Sequence, residues 1–221
     1  MTSIYDQLLS FPLFQGMSHS DLMEVAGHTK FGFSKLVAGK RLVKEGDDCS
    51  HLIFLTNGTL QCETASDDRS CKVTEHMSAP YLLQPEHIFG FSQRYTSTYK
   101  TESTCNLIML DKQEVMLLME TQLVFRLNMV NIMATETQRL RRHIWRPAPK
   151  TLRERITRYF FSRCLYPAGN KTFHVLMNQI AADLNDSRLD ISKELNKMQA
   201  DGLIQLNRGR IEIPMLEKLL M

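Results

Sequence analysis

The chain has 221 residues, 43% of them hydrophobic and 23% charged, a length that allows one large domain or two of ordinary size, each with its own core. No apolar stretch approaches the roughly 20 residues needed to cross a bilayer, and the start MTSIYDQLLSFPLF lacks the basic segment and cleavage site of a secretory signal, so a cytoplasmic protein without a membrane partner is expected. Five cysteines with neither a CxxC pair nor metal-ligand spacing exclude a disulfide framework or a structural zinc site as the organising principle, and no metal site is expected.

The formal net charge of +3 conceals an asymmetry. Residues 1–138 carry 11 Lys+Arg against 16 Asp+Glu, whereas residues 139–221 carry 16 against 8. A net −5 beside a net +8 points to a polyanionic partner for the C-terminal third.

Residues 4–26 read as a short helical start, with Leu8, Leu9, Leu22, Met23 and Val25 apolar. From Phe31 to Leu110 the pattern has period two, cut by turn signals at Gly39-Lys40, Gly46-Asp47-Asp48, Asn57-Gly58 and Ala65 to Ser70. Many short strands at regular spacing argue for a β-barrel or sandwich. From Asp111 to Trp145 there is no Gly or Pro over 35 residues, and Leu123, Leu127, Val130, Ala134, Thr137 and Arg141 recur at spacings of three and four. A short helix followed by a long one is expected, and a second copy of the chain would cover the apolar stripe; packing on its own barrel is the alternative. Pro147 and Pro149 stop that helix and mark a linker. A further helix is expected from about Thr151 to Cys164, with Arg153, Arg155 and Arg158 as candidate phosphate contacts.

Ile180, Leu184, Ile191, Leu195 and Met198 are the apolar positions of two more helices, the first ending near Leu184 and the second beginning at Ser187. Ala181 is small where the helices cross, and Asn185 tolerates the left-handed backbone of a three-residue turn. Ser187 with Asp190 forms an S-x-x-D variant of the capping box. This is a helix-turn-helix pattern. With the apolar positions turned inward, Ser187, Arg188, Leu189, Ser192, Lys193 and Asn196 lie where a recognition helix meets the major groove. Arg188 and Lys193 could donate to guanine, and Leu189 could offer only apolar contact. The run DGLIQLNRGRIEI reads as a two-stranded wing with Arg208 and Arg210 at its tip, over the sugar-phosphate backbone.

These residues resemble the Crp/Fnr family of bacterial transcription regulators over essentially the whole chain. Ser187-Arg188-Leu189-Asp190-Ile191-Ser192-Lys193 is similar to that family's S-R-E-T-V-[SG]-R recognition helix. Residues 39–58, GKRLVKEGDDCSHLIFLTNG, are similar to the signature of a cyclic-nucleotide-binding β-roll. The resemblance implies an α+β chain: a β-roll sensor (double-stranded β-helix, jelly-roll-like) over 1–120, a dimerisation helix and linker over 121–146 with Leu123, Leu127, Val130 and Ala134 in the interface, and a winged helix-turn-helix over 147–221. It further implies a homodimer on a palindromic double-stranded DNA operator, a small-molecule effector, and RNA polymerase as a further partner.

Two departures modify this. Leu189 stands where the family has glutamate, so the half-site is expected to differ, and Asp190 stands in place of threonine. The phosphate cassette G-E-x(n)-R-[ST]-A is broken: its glycine is Gly90, its glutamate position is Phe91, and its arginine position falls on Tyr95 with Arg94 one residue off. Cyclic AMP is therefore not expected. Gly90, Phe91, Arg94, Tyr95, Thr96 and Tyr99 outline the region where an effector would sit, with cofactor and effector unknown, and Phe91, Tyr95 and Tyr99 suggest a more apolar pocket or none. No cysteine precedes Cys49, which excludes the family's N-terminal iron-sulfur cluster, and none of His19, His28, His51, His76 and His87 can be nominated as a haem ligand. Cys62 and Cys71 flank a turn and could form a redox-sensitive pair if their Cα atoms lie within about 7 Å. A regulator with a scaffold-only roll and a haem- or redox-sensing regulator are the alternatives within the class. An enzyme or small-molecule carrier sharing the roll is the alternative outside it, although no catalytic motif appears.

Overall fold

The computed structural model describes residues 4–144 and 147–220. Trp145 and Arg146, part of the expected dimerisation helix and linker, lie outside the described residues, as do residues 1–3 and 221. The chain divides into two compact units that interleave in sequence: Met1–Leu60, Met77–Thr96 and Lys100–Arg146 form one, and Gln61–His76, Ser97–Tyr99 and Pro147–Met221 form the other.

The first unit opens with helices α1 (Ile4–Leu9) and α2 (His19–His28). Ser18 caps α2 with a reciprocal pair of bonds: its hydroxyl accepts from the Asp21 N–H at 3.1 Å, and the Asp21 carboxylate accepts from the Ser18 N–H at 3.1 Å. Strands follow as β1 (Phe31–Leu36), β2 (Arg41–Val43) and β3 (His51–Asn57). The chain then runs through β4 (Thr59–Ala65) and β5 (Cys71–Ser78), β6 (Tyr81–Leu83), β7 (Thr98–Thr101) and β8 (Cys105–Asp111). Four strands form an antiparallel sheet in the order β1-β8-β3-β6, with Phe33 opposite Ile108 and Phe54 opposite both Ile108 and Leu82. The uninterrupted run Leu52-Ile53-Phe54-Leu55 is buried on both faces of β3, as an inner strand covered on each side requires. Phe54 meets Phe11 edge-on at 5.0 Å and Phe14 at 5.8 Å. Gly58 turns β3 into β4 with φ +98; a Cβ there would lie 2.6 Å from the Thr104 carbonyl and 2.7 Å from the Cys105 sulfur, so no larger residue fits.

Helix α3 (Lys112–Thr121) starts on Asp111, whose carboxylate accepts from the Glu114 N–H at 2.9 Å. Helix α4 (Leu123–Ile144) leaves it at 114° across Gln122. Phe125 and Met129 on one face of α4 are buried, Phe14 meeting Phe125 at 5.4 Å. The Asn128 amide pegs that face by donating to the Leu13 and Gln15 carbonyls at 3.1 and 2.9 Å. The other face leaves Leu123, Leu127 and Val130 more than half exposed, with Ala134 half-buried. Among the described residues, no single helix is long and apolar enough to cross a membrane.

The second unit contains helices α5 (Leu152–Ser162), α6 (Met177–Leu184) and α7 (Arg188–Ala200), with strands β9 (Lys171–Val175), β10 (Gln205–Asn207) and β11 (Arg210–Ile213). Its strands neighbour one another in the order β10-β11-β9-β5-β4. Strand β5 pairs antiparallel with β9 over five residues, Cys71 opposite Val175 through Glu75 opposite Lys171. Cys71 and Val73 thereby enter a core with Ile156, Phe160, Phe173, Ile180, Ile191, Leu195, Met198, Ile211 and Ile213. Phe160 and Phe173 lie 4.7 Å apart at its centre. Residues 61–76 therefore share a core with residues about one hundred positions further along, a long-range pairing that local periodicity does not disclose.

Candidate functional site

Helices α6 and α7 meet around a short turn. Ile180 and Ala181 bury the inner face of α6, and α7 buries Ile191, Leu195 and Met198 against the same core. Asn185 takes the left-handed conformation, φ 50 and ψ 53, and closes α6 as the sequence led us to expect. The next residue, Asp186, donates its N–H to the Ala181 carbonyl at 2.9 Å.

Ser187 caps α7, its hydroxyl accepting from the Asp190 N–H at 3.1 Å. The expected capping box forms only in half. Asp190 accepts from the Ser187 hydroxyl at 2.7 Å rather than from its backbone, because the Ser187 N–H is already donated to Asp186 Oδ1 at 2.8 Å. Asp190 also lies 3.8 Å from the Lys193 ammonium, so this acidic group is held by the N-cap before it and by a lysine one turn on.

The outward face of α7 presents Arg188, Leu189, Lys193 and Asn196 to solvent, with Ser192 half-buried and Leu189 63% exposed. Arg188 makes no ion pair among the described residues. The Asn196 amide donates to the Ser192 carbonyl at 2.7 Å. At the tip of the β10–β11 hairpin Arg208 is exposed and Gly209 has φ +68, while Arg210 pairs with Glu212 at 2.6 Å. On the central strand β9, His174 stands opposite Arg210 of β11 on one side and Lys72 of β5 on the other. Burial, helped by the flanking Lys72 and Arg210 charges, holds the His174 imidazole below its ordinary range.

The three arginines of α5 have internal partners. Arg153 pairs with Asp201 at 2.8 Å, Arg158 donates to the Pro147 carbonyl at 2.9 Å, and Arg155 donates to the Leu184 carbonyl at 3.0 Å while pairing with Asp186. Arg155 thus caps the end of α6 and braces the turn before α7. Sequence reasoning missed this, since Arg155 and Asp186 are 31 residues apart and share no local pattern.

The residues proposed for an effector are not drawn onto one surface. Phe91 is fully exposed, Gly90 adopts φ +95, and the exposed Arg94 donates to the Gly46 carbonyl at 2.7 Å and pairs with Asp48 at 3.2 Å. Tyr95 is buried, its hydroxyl donating to the His51 carbonyl at 3.2 Å, and burial drives its pKa upward. Thr96 is clamped by Gln84, which accepts its N–H at 3.1 Å and donates to its hydroxyl at 2.8 Å. Tyr99, in the second unit, is fully buried. A groove of about 630 Å³ in the first unit is lined instead by Phe33, Lys35, Thr56, Asn106 and Ile108, among others.

The Cys62–Cys71 redox pair is corrected by the hairpin register. Ser66 donates its N–H to the Cys71 carbonyl at 2.9 Å and so stands opposite Cys71, which leaves Cys62 four residues further along the partner strand, roughly 13 Å away at about 3.3 Å per residue. All five cysteines are free and buried, burial pushes the thiols of Cys62 and Cys71 up, and that of Cys164 rises to about 12. Among the described residues no cluster of three or more His, Cys, Asp or Glu side chains is placed to hold a metal.

No family model and no curated protein matches this chain in sequence. Solved structures do match it in fold. The catabolite activator protein of Thermus thermophilus superposes with a TM-score of 0.53 at 16% identity, covering 95% of this chain and 97% of that one. A protein described as a Crp/Fnr-family transcriptional regulator from Eubacterium rectale gives 0.53 at 18%, covering 96% and 97%. The sensor domain of the transcriptional regulator DNR from Pseudomonas aeruginosa gives 0.51 at 16%, covering 66% of this chain and 94% of that domain. At these identities the likeness is one of fold. It spans nearly the full chain in the first two cases, and the matched proteins are transcription regulators rather than enzymes.

Proposed function

We propose that this chain is a member of the Crp/Fnr family and works as a homodimeric, cytoplasmic, DNA-binding transcription regulator. In this reading residues 1–120 are a β-roll sensor, α4 is the dimer helix, and α6, α7 and the β10–β11 hairpin make a winged helix-turn-helix. Helix α7 enters the major groove with Arg188 and Lys193 toward base edges, Leu189 toward an apolar edge such as a thymine methyl, and Arg208 and Arg210 over phosphates. The observation that carries the reading is the outward face of α7: a capped helix start, rigidly backed by Ile191, Leu195 and Met198, presenting Arg188, Leu189, Lys193 and Asn196 in the basic part of the chain.

Two α7 helices related by a dimer axis would meet half-sites about one helical turn, ~34 Å, apart. Selection of sites from a randomised duplex library tests this. An inverted repeat with that spacing is expected, and recovery of no repeat would contradict it.

A second reading, a regulator whose roll is only a scaffold, is favoured by the burial of Tyr95 on the His51 carbonyl and by the internal engagement of Arg94 and Thr96. The same residues speak against cyclic AMP, for which neither a ribose-binding glutamate nor a free arginine is placed in the Gly90–Thr96 run. Thermal unfolding with cyclic nucleotides and with haem separates the two readings, because a ligand bound only by the folded state raises stability in proportion to RT ln(1 + [L]/Kd).

A further inference from the structure

Glu75 lies in the hairpin 61–76, outside the C-terminal run 147–221, and is wholly buried. Its carboxylate has three partners, all from that C-terminal run. Oε1 accepts from the Lys171 ammonium at 2.8 Å and from the Tyr166 N–H at 3.1 Å, and Oε2 accepts from the Leu165 N–H at 2.8 Å. Lys171 is itself 2% exposed. A buried ion pair adds little net stability compared with apolar residues of the same volume; what it does supply is a fixed register, because any slip of β5 along β9 leaves two charges unpaired in the core.

What Glu75 holds is connected by unbroken structure to the start of α7. Leu165 and Tyr166 lie three and four residues beyond the end of α5. Helix α5 carries Arg155, which donates to the Leu184 carbonyl and pairs with Asp186. Asp186 accepts the Ser187 N–H, and the Ser187 hydroxyl caps α7. In parallel, Lys171 begins β9, which leads into α6 through Leu176 alone. Two routes, one through hydrogen bonds and one through the chain, therefore join a single carboxylate on the hairpin to the residue that sets the position of Arg188.

We propose that Glu75 is a positioning residue for α7: the hairpin 61–76 clasps the C-terminal run 147–221 of its own unit through Glu75 and Lys171, and the relay Glu75, α5, Arg155, Asp186, Ser187 fixes where Arg188 and Leu189 point. This rests on the proposed DNA-binding role of α7. It gives the hairpin a direct line to the DNA-reading residues that does not run through α4, so a displacement at Gln61 or His76 is felt at Ser187.

The test replaces the buried pair together, Glu75→Gln with Lys171→Met, so that no lone charge is left in the core. In the full-length protein, affinity for a selected duplex is expected to fall about fivefold with the salt dependence unchanged, since no phosphate-contacting group is removed. Arg155→Met is expected to weaken binding too, and the triple variant to lose less than the product of the two effects, as members of one relay must. Wild-type affinity in the pair variant, or losses that simply multiply, would overturn the proposal. Hydrogen exchange at the Asp190 and Ile191 amides separates the relay from the function: faster exchange in the pair variant supports the relay even if the unaltered protein fails to bind DNA, and unchanged exchange overturns it. Should the pair variant not fold, Arg155→Gln decides. Reciprocity requires faster exchange at the Leu165 and Tyr166 amides, and unchanged rates there would end the proposal.

Discussion

Helices α4 and α7 each bury one face in their own unit and leave the other open, and the open faces differ in chemistry. Helix α4 turns Phe125 and Met129 inward and exposes Leu123, Leu127 and Val130. Helix α7 turns Ile191, Leu195 and Met198 inward and exposes Arg188, Lys193 and Asn196 around one apolar residue, Leu189. Full burial of an aliphatic side chain contributes about 1.5–3 kcal/mol, so three open aliphatic residues in a row on α4 favour a dry, apolar partner, for which a second α4 has the matching stripe. Cations beside a capped helix start favour an anionic, hydrogen-bonding partner instead. One chain thus offers two surfaces of opposite polarity, and the symmetric dimer on duplex DNA proposed above would use both.

That contrast can be broken at either end. The largest effect is expected from Leu127→Glu with Val130→Glu, which places charge on the apolar stripe without touching the Phe125 side. Sedimentation should then report monomers, and duplex binding should weaken by about a hundredfold or more as the second half-site is lost; a variant that remains dimeric would assign the interface elsewhere. Next comes Arg188→Ala, for which roughly a tenfold loss on the selected site is expected, with discrimination relaxed at one base-pair position in each half-site. A loss equal across all sequences would make Arg188 a phosphate contact rather than a base reader. Ser187→Ala removes a cap and should lower stability by about 1 kcal/mol in urea unfolding, with no change in oligomeric state. The smallest effect belongs to Arg208→Ala, which should make the slope of log affinity against log salt less negative by about 1, equally for all sequences. A change in sequence preference instead would place the hairpin tip in a groove.

Much of the second unit was legible because its signals are local. The apolar spacing of Ile180, Leu184, Ile191, Leu195 and Met198 set both helices, and Asn185 occupies the left-handed turn that its side chain tolerates. The short helix followed by a long one with an apolar stripe was likewise carried by period and by the lack of Gly and Pro, whereas the sharp break at Gln122 has no such local signal. The capping box was half right, because Asp186, one residue earlier in sequence, takes the backbone donor that the box needs. Glu75 was invisible. A lone glutamate in a strand of alternating residues reads as a surface position, and only the pairing of β5 with β9 buries it against Lys171. The structural role of Arg155 was hidden for the same reason: an arginine on a basic helix reads as a candidate phosphate contact, and its partners at Leu184 and Asp186 come beside it only in the fold. Tyr95 was placed in a region proposed for an effector, and its hydroxyl is engaged by a carbonyl 44 residues away. In each case the missing information was a contact between segments distant in sequence, which composition and period do not encode.

The central claim is that this chain is a dimeric reader of duplex DNA, and it is most directly tested by titrating the full-length protein onto a labelled palindromic duplex at several salt concentrations. Two chains per duplex are expected, with an affinity that falls steeply and log-linearly as salt rises, by orders of magnitude between about 50 and 200 mM. Affinity that is flat across that range, or absent at its low end, would contradict it.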